Sequence, residues 1–156
     1  MREIKRALIT GATGMIGATL TRLLLQENIE VYAVYRPGSP KLGNLPEGDE
    51  RLHLVPCDNG ALKTLLESES AGLPDTVDAV FHFAWEKAYG AGRNDVEAQN
   101  RNAEASLTVY EIAKKLKAKV FLGAGSQAEY GHVEGKLTEF TETHPVTEYG
   151  KAKLRT

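Results

Sequence analysis

Short apolar runs alternate with amphipathic segments along the chain, and this alternation predicts strands and helices in turn. Apolar runs predict strands at about 5–10, 31–35, 52–55, 77–83 and 119–123. The pattern predicts helices from the first glycine turn to about 27, at 60–70 and at 96–117, and a last helix that begins near 145–149. Strands that alternate with helices form a parallel sheet covered on both faces. The pattern therefore predicts an α/β fold, a doubly wound, three-layered parallel sheet of the Rossmann type with about five strands.

Two predicted helices carry apolar residues at helical spacing. The first set is Ile16, Leu20, Leu23 and Leu24, and the second, Val109, Ile112, Ala113 and Leu116, is the predicted core stripe of its helix. Segments 36–50, 88–94 and 126–145 are rich in glycine, proline or polar residues and are predicted to be loops. We expect one domain over residues 1–156. No helix stop precedes Thr156, so we expect truncation at the C-terminal end, the alternative being a short protein whose last helix frays.

Composition and charge exclude several classes of function. The chain has 156 residues, 42% hydrophobic and 26% charged, which suits one globular domain with a core. A net charge of −2 gives no electrostatic basis for binding nucleic acid or an anionic membrane. The apolar runs are too short to cross a bilayer. We therefore predict a cytoplasmic protein with neither nucleic acid nor membrane as a partner.

The lone cysteine and the histidines suggest no metal and no thiol chemistry. Cys57 has no partner for an internal disulfide, which fits a reducing compartment, and we expect a buried residue rather than a nucleophile. His53, His132 and His144 do not have metal-ligand spacing among themselves or with Cys57, so no metal site is predicted. His82, at the end of a strand, is expected to be structural.

Three glycines, Gly11, Gly14 and Gly17, lie between an apolar strand and an amphipathic helix. Gly11 permits a tight turn, Gly14 lets a pyrophosphate approach the backbone, and Gly17 lets the helix pack close to the strand. A helix N-terminus also offers free N–H groups and a positive dipole end to an anion. The segment predicts a dinucleotide site, and the alternative is a tight turn without a ligand.

The end of the second strand bears on the choice of dinucleotide. A site that prefers NAD usually has an acidic residue there, which binds the ribose 2′-hydroxyl. This chain has Tyr35 followed by Arg36, and an arginine suits the 2′-phosphate of NADP. NADP is therefore favoured over NAD, while Arg36 could instead be a solvated loop residue or stack on the adenine in an NAD site.

A second candidate site combines a tyrosine and a lysine four residues apart, Tyr149 and Lys153, with an upstream serine, Ser126. An ammonium group close to a phenol favours its ionised form, which makes the pair suitable for proton transfer. Spacing alone does not define a site, because Tyr110 and Lys114 have the same separation. Ser126 follows the fifth strand, however, and sites in open parallel sheets form at strand C-termini. Taken alone, Ser126 could be a loop or capping serine.

These motifs together resemble the extended short-chain dehydrogenases, that is, the NAD-dependent epimerase/dehydratase family. The matching segments are Gly11–Gly17, Phe81-His82-Phe83-Ala84, Cys57-Asp58, Asn102-Ala-Glu-Ala-Ser106, and Ser126 with Tyr149-Gly-Lys-Ala-Lys153. The resemblance covers essentially the whole chain, but only the N-terminal half of the family's architecture. It implies that Tyr149 is the acid–base, that Lys153 assists it and binds the nicotinamide ribose, and that Ser126 orients the substrate oxygen.

The resemblance also implies roles for other residues. Asn102 would be the structural or proton-relay asparagine, although the family's glycine and threonine are replaced by Ala105 and Ser106 and Asn100 competes for the assignment. Asp58 would contact the adenine. From their position after the fourth strand, rather than from the resemblance, Trp85 and Tyr89 are expected either to line the substrate or nicotinamide pocket or to cap the sheet. The expected cofactor-binding residues are Gly11, Thr13, Gly14, Met15, Ile16, Gly17, Arg36, Asp58, Phe83, Ala84 and Lys153.

The resemblance implies a nicotinamide-dependent epimerase or ketoreductase that acts on a nucleotide-linked sugar. Dehydration is disfavoured because Gln127-Ala128 replaces the family's Asp-Glu pair. The alternative is a non-catalytic dinucleotide sensor or scaffold. The family builds most of its substrate pocket from C-terminal segments, so we expect negligible turnover from this chain alone. A homodimer is also expected as one oligomeric form, because dimers in the family often use helices of this half.

Overall fold

The computed structural model describes residues 3–68 and 72–156. Among these residues, five strands form one parallel sheet: β1 (Arg6–Thr10), β2 (Glu30–Tyr35), β3 (Leu52–Pro56), β4 (Ala79–His82) and β5 (Val120–Gly123). The strand order is β3-β2-β1-β4-β5. The predicted α/β fold with about five parallel strands is confirmed.

Helices connect the strands and follow the last of them. They are α1 (Met15–Gln26), α2 (Lys63–Glu67), α3 (Val96–Lys115) and α4 (Glu148–Leu154). Short 3₁₀ turns lie at Leu42–Asn44, Asn59–Ala61, Gly90–Asn94 and Gln127–Glu129. The strand order reverses direction at β1, and right-handed crossovers then put α1 and α3 on opposite faces of the sheet. Ligands in such sheets bind at this switch point, beyond the carboxyl ends of the strands.

The chain divides into two compact units. The sheet unit comprises Met1–Ala84 and Thr108–Gly123, and the second unit comprises Trp85–Leu107 and Ala124–Thr156. The sheet unit holds the glycine turn, while the second unit holds Ser126, Tyr149 and Lys153. The single domain over residues 1–156 stays a prediction. Within the described residues, no helix is both long and apolar enough to cross a membrane.

Helix α1 buries only part of the apolar pattern that predicted it. The spacing of Ile16, Leu20, Leu23 and Leu24 correctly predicted a helix, but Ile16 and Leu23 are more than half exposed, at 56% and 53%. The buried residues are instead Gly17, Ala18, Thr21 and Leu25. The reason is steric: a Cβ on Gly17 would lie 2.4 Å from the Gly11 carbonyl oxygen, so the helix is closest to the turn there. Leu20 and Leu24 pack at the edge of the core.

The other helices agree better with the sequence, apart from their ends. The predicted stripe of α3, from Val109 to Leu116, is buried as expected. The helix predicted at 60–70 is a 3₁₀ turn followed by the short α2, and its predicted residues 69–70 lie outside the described part. The predicted loops at 36–50, 88–94 and 126–145 each contain one 3₁₀ turn.

Candidate active site

The turn between β1 and α1 is made by close approach of the backbone. Gly11 has a φ of +68°, and a Cβ there would lie 2.7 Å from the Ala84 nitrogen and 2.8 Å from the Phe83 carbonyl carbon. Gly14 differs, because its Cβ would meet only the Gly11 carbonyl oxygen, at 3.2 Å. Packing therefore requires glycine at 11 and 17, whereas Gly14 faces space that a ligand can use.

The N-terminus of α1 lacks every side-chain group that would compete with an anion. Its N-cap is Gly14, no side chain caps it, and its first turn holds no acidic residue. Met15 and Ile16 are exposed, while Thr13 is buried and its carbonyl accepts a 3.0 Å hydrogen bond from Asn44 Nδ2. Free N–H groups at the positive end of a helix suit a phosphate. The turn therefore fits a dinucleotide pyrophosphate.

The remaining predicted cofactor residues also lie in the sheet unit. Arg36 is exposed and directly follows β2. Asp58 follows β3 and caps the next 3₁₀ turn, with Oδ1 accepting from the Gly60 nitrogen at 3.0 Å. Phe83 and Ala84 follow β4 and are half-buried. Each of these residues comes after the carboxyl end of a strand.

Two residues to which the sequence analysis gave no catalytic role, Cys57 and His82, are buried. Cys57 is buried, as expected, and burial raises the pKa of its thiol. His82 is buried, and its Nδ1 lies 2.6 Å from Thr10 Oγ1. Among the described residues, no three histidine, cysteine, aspartate or glutamate side chains are grouped as metal ligands.

Helix α4 brings Tyr149 and Lys153 together in the second unit. Thr147 caps the helix, its Oγ1 accepting from the Gly150 nitrogen at 3.0 Å. Lys153 is only 8% exposed, and its Nζ donates to the Ala124 carbonyl oxygen at 2.6 Å. Burial lowers the pKa of Lys153 to about 8, with the charge of Glu129 acting in the opposite direction. The ammonium is therefore largely removed from water.

Ser126 begins the 3₁₀ turn that follows β5. Its Oγ accepts from the Ala128 nitrogen at 3.1 Å, and Glu129 Oε1 accepts from the Ser126 nitrogen at 2.6 Å. Ser126 therefore does cap a turn, the alternative raised from its sequence position. A hydroxyl has one donor and two acceptor lone pairs, so capping leaves its proton free to bind a substrate oxygen.

Gly150 sets the approach of α4 to the Ser126 turn. A Cβ on Gly150 would lie 2.3 Å from the Ala128 carbonyl oxygen, which is closer than real Cβ atoms come. Because Gly150 directly follows Tyr149 and Ala128 lies two residues after Ser126, this backbone contact positions the tyrosine relative to the serine.

Asn102 holds a loop and makes no hydrogen bond with the tyrosine or the lysine. It is 3% exposed, and its side chain bonds both backbone groups of Glu86: Oδ1 accepts from the nitrogen and Nδ2 donates to the oxygen, each at 2.9 Å. Its Nδ2 also donates to Gln99 Oε1 at 3.2 Å. The structure thus connects Asn102 to the segment that carries Trp85.

Two side chains of the second unit, Arg93 beside Tyr149 and Gln99 beside Trp85, were missed in the sequence analysis. The guanidinium carbon of Arg93 lies 4.9 Å from the centroid of the Tyr149 ring. Gln99 is 1% exposed and donates its Nε2 to the backbone of Lys87 and Gly92. A signal for Gln99 was present, because 99, 102 and 106 extend the stripe of Val109 toward the start of α3. Nothing in the sequence indicated Arg93.

The fold and these features define a class of protein: a doubly wound dinucleotide-binding fold that also carries a Ser–Tyr–Lys cluster. Comparison of the sequence with known protein families identifies the family. The chain belongs to the NAD dependent epimerase/dehydratase family, whose model matches residues 7–156.

Several known proteins resemble the chain. The uncharacterized UDP-glucose epimerase YtcB of Bacillus subtilis (strain 168) is 28% identical over 96% of this chain and 48% of its own length. The UDP-glucuronic acid 4-epimerase of Bacillus cereus, solved in complex with NAD, is 25% identical with a TM-score of 0.75, covering 96% of this chain and 49% of that one. The Bordetella bronchiseptica enzyme WbmG, solved with NAD, has a TM-score of 0.82 over 98% of this chain and 48% of its own, but at 22% identity it supports the fold alone. The chain thus spans about half the length of these relatives.

Proposed function

We propose that this chain is the cofactor-binding and catalytic part of an epimerase that acts on a nucleotide-linked sugar with a nicotinamide dinucleotide. The observation that carries the proposal is the buried Lys153 one helical turn from Tyr149, with Ser126 on the adjoining turn. The relatives support the substrate class, since two of them are named as UDP-sugar epimerases.

In this proposal the dinucleotide is held by residues of the sheet unit. The backbone of Gly11–Gly17 would bind the pyrophosphate, Asp58 would contact the adenine, and Phe83 and Ala84 would line the cofactor. Lys153 would donate to the hydroxyls of the nicotinamide ribose. The chemistry that a bound nicotinamide supplies is the acceptance and return of one hydride.

The residues of the second unit would manage the proton. The phenolate oxygen of Tyr149 takes the proton of the sugar hydroxyl as the carbon–hydrogen bond at the same carbon breaks and the carbonyl forms. Ser126 donates its hydroxyl proton to the carbonyl oxygen. When the carbon–hydrogen bond is remade on the opposite face of the sugar, Tyr149 returns the proton. The substrate is then inverted at one carbon without net oxidation.

Turnover tests the reaction type. Because the chain spans about half the length of its relatives, the intact protein that contains these residues is incubated with NAD or NADP and a UDP-hexose. Formation of the epimer without net consumption of the dinucleotide is expected. Stoichiometric consumption would indicate a ketoreductase instead, and absence of turnover with tight dinucleotide binding would indicate the sensor.

Dinucleotide binding by the 156-residue chain tests the turn on its own. In calorimetry, Gly14→Ala is expected to weaken binding about tenfold or more, because a methyl group would stand where the phosphates approach while the fold adjusts by a few tenths of an ångström. The control is Gly43→Ala, where a Cβ meets nothing within 4 Å. Equal binding by both variants would place the dinucleotide elsewhere.

Arg36 carries the proposal that NADP binds more tightly than NAD. The guanidinium is exposed after β2, and it suits a 2′-phosphate through paired hydrogen bonds. Arg36→Ala should weaken NADP binding and leave NAD binding nearly unchanged. Tighter binding of NAD by the unmodified chain would overturn this preference.

A cytoplasmic location and a homodimer complete the proposal. Fractionation of cells tests the first, and sedimentation of the intact protein tests the second. A monomer at micromolar concentration would contradict the dimer.

A further inference from the structure

Trp85, the only tryptophan in the chain, lies against both members of the tyrosine–lysine pair. The Nζ of Lys153 is 3.6 Å from the centroid of its ring, a cation–π contact. Its ring also meets the Tyr149 ring edge-on, with the centroids 5.7 Å apart at an interplanar angle of 85°. One indole thus contacts the ammonium through its face and packs against the phenol ring.

The indole is itself held from behind. Its Nε1 donates to Gln99 Oε1 at 2.9 Å, and the Nε2 of this buried glutamine donates to two backbone carbonyls. Asn102 binds both backbone groups of Glu86, the residue that follows Trp85. Hydrogen bonds therefore restrain both the side chain and the neighbouring backbone of Trp85, as a residue that positions others requires.

We propose that Trp85 is a positioning residue of the tyrosine–lysine pair, its indole face holding the Lys153 ammonium and its ring packing against Tyr149. The inference rests on the function proposed above, because it assigns Trp85 a part in the same proton transfer. Gln99 and Asn102 act through Trp85 by fixing where the indole lies.

The geometry explains why a buried lysine is tolerated here. An ammonium has three donors, and burial without partners is costly. The Ala124 carbonyl takes one donor, the indole face stabilises the charge, and the remaining donor capacity is available to a ligand. Among the described residues, Arg93 lies beside Tyr149, and the charge of Glu129 favours the ammonium.

The first test uses the emission of the single tryptophan in the 156-residue chain, without substrate or cofactor. A charge held against the indole face perturbs its emission, so the emission should change as pH rises through the Lys153 pKa of about 8. Lys153→Met should abolish this change. Lys151→Met is the matched control, because Lys151 is an exposed lysine of the same helix, paired with Glu148, and should leave the change intact. Identical titrations in all three proteins would overturn the proposal.

The second test separates positioning from a structural role. In the intact protein, Trp85→Leu should lower kcat about tenfold with a smaller effect on KM, because the cation–π contact is lost. Trp85→Phe keeps an aromatic face and should restore most of kcat. Equal loss in both variants would contradict the proposal.

The two tests also distinguish this inference from the proposed function. If the intact protein does not turn over a nucleotide sugar, the proposed function fails, while the emission titration still decides whether Trp85 holds Lys153. If turnover is found but the titration does not depend on Lys153, the assignment of Trp85 alone fails.

Discussion

Two tyrosine–lysine pairs with the same four-residue spacing lie on helices of this chain, and they differ in what surrounds the lysine. In the pair on α3, Lys114 is 58% exposed, lies 3.1 Å from Glu111 Oε2 and is 5.8 Å from the centroid of the Tyr110 ring. In the pair on α4, Lys153 is 8% exposed and contacts a carbonyl oxygen and an indole face. The spacing places the tyrosine and the lysine of each pair on one face of their helix, but only the lysine of the second pair is buried.

The surroundings of the lysine, rather than the four-residue spacing, therefore distinguish the two pairs. An exposed lysine paired with a carboxylate is surrounded by water, and such an ion pair contributes little to the stability of the fold. A buried lysine with a carbonyl and an aromatic face is held in one place, and a ligand can exploit a fixed donor. The supports of Lys153 come from Ala124 and Trp85, far from α4 in sequence.

The largest contrast is expected in turnover. Tyr149→Phe removes the group that we propose exchanges the proton, and it should lower kcat by about 10²–10⁴ in the intact protein. Tyr110→Phe, the matched change in the other pair, should leave kcat unchanged. Epimer formation from a nucleotide sugar measures both. A fully active Tyr149→Phe would remove the basis for assigning the site to α4.

The two lysines should differ next in how their replacement changes stability with pH. The folded pKa of Lys153 is about 8, below the usual value of about 10.4 in an unfolded chain. Between these values the unfolded state binds more protons, so unfolding free energy rises with pH in the unmodified chain. This rise should be on the order of 3 kcal/mol and absent from Lys153→Met.

Urea denaturation from pH 7 to 11 measures this difference, with Lys114→Met as the control that should keep the rise. A pH-independent difference between Lys153→Met and the unmodified chain would mean that the ammonium is not desolvated.

The residues that follow the two tyrosines offer a third contrast. Gly150→Ala puts a Cβ 2.3 Å from the Ala128 carbonyl oxygen, and relief of this clash should cost about 1–3 kcal/mol, partly offset by the helix preference of alanine. Glu111→Ala, at the corresponding place in α3, should be near neutral because Glu111 is exposed. Thermal unfolding of both variants measures the effect, and a fully stable Gly150→Ala would show that the turn moves freely.

The smallest effect is expected from the ion pair of α3. Glu111→Gln removes the charge opposite Lys114 and should change the unfolding free energy by about 0.5 kcal/mol or less, and less still in high salt. Denaturation at low and high salt measures it. A loss above 1 kcal/mol would mean that the two lysines are more alike than their exposure indicates.

Much of the fold could be read from the sequence because parallel strands and their helices leave strong periodic signals. The apolar runs located all five strands, and the stripe of α3 was confirmed from Val109 to Leu116. The apolar spacing of α1 predicted the helix but not which of its residues are buried. Gly17 is in close contact with the turn, and Gly17, Ala18 and Thr21 are buried whereas Ile16 and Leu23 are exposed.

Local backbone requirements are what the sequence determined about this protein. A tight turn between strand and helix needs glycine at 11 and 17 because neighbouring backbone leaves no room for a Cβ. The spacing of the glycines in the sequence indicates this requirement directly. The four-residue spacing of Tyr149 and Lys153 likewise follows from the helical repeat.

Only the tertiary structure decided which tyrosine–lysine pair is buried and what supports it. Burial depends on segments distant in sequence, since Trp85, Arg93 and Ala124 reach α4 only when the chain folds. Periodicity reports which side of a helix is covered but carries no information about which side chain covers it. The environment of Lys153 therefore required the structure, whereas its position one helical turn after Tyr149 followed from the sequence.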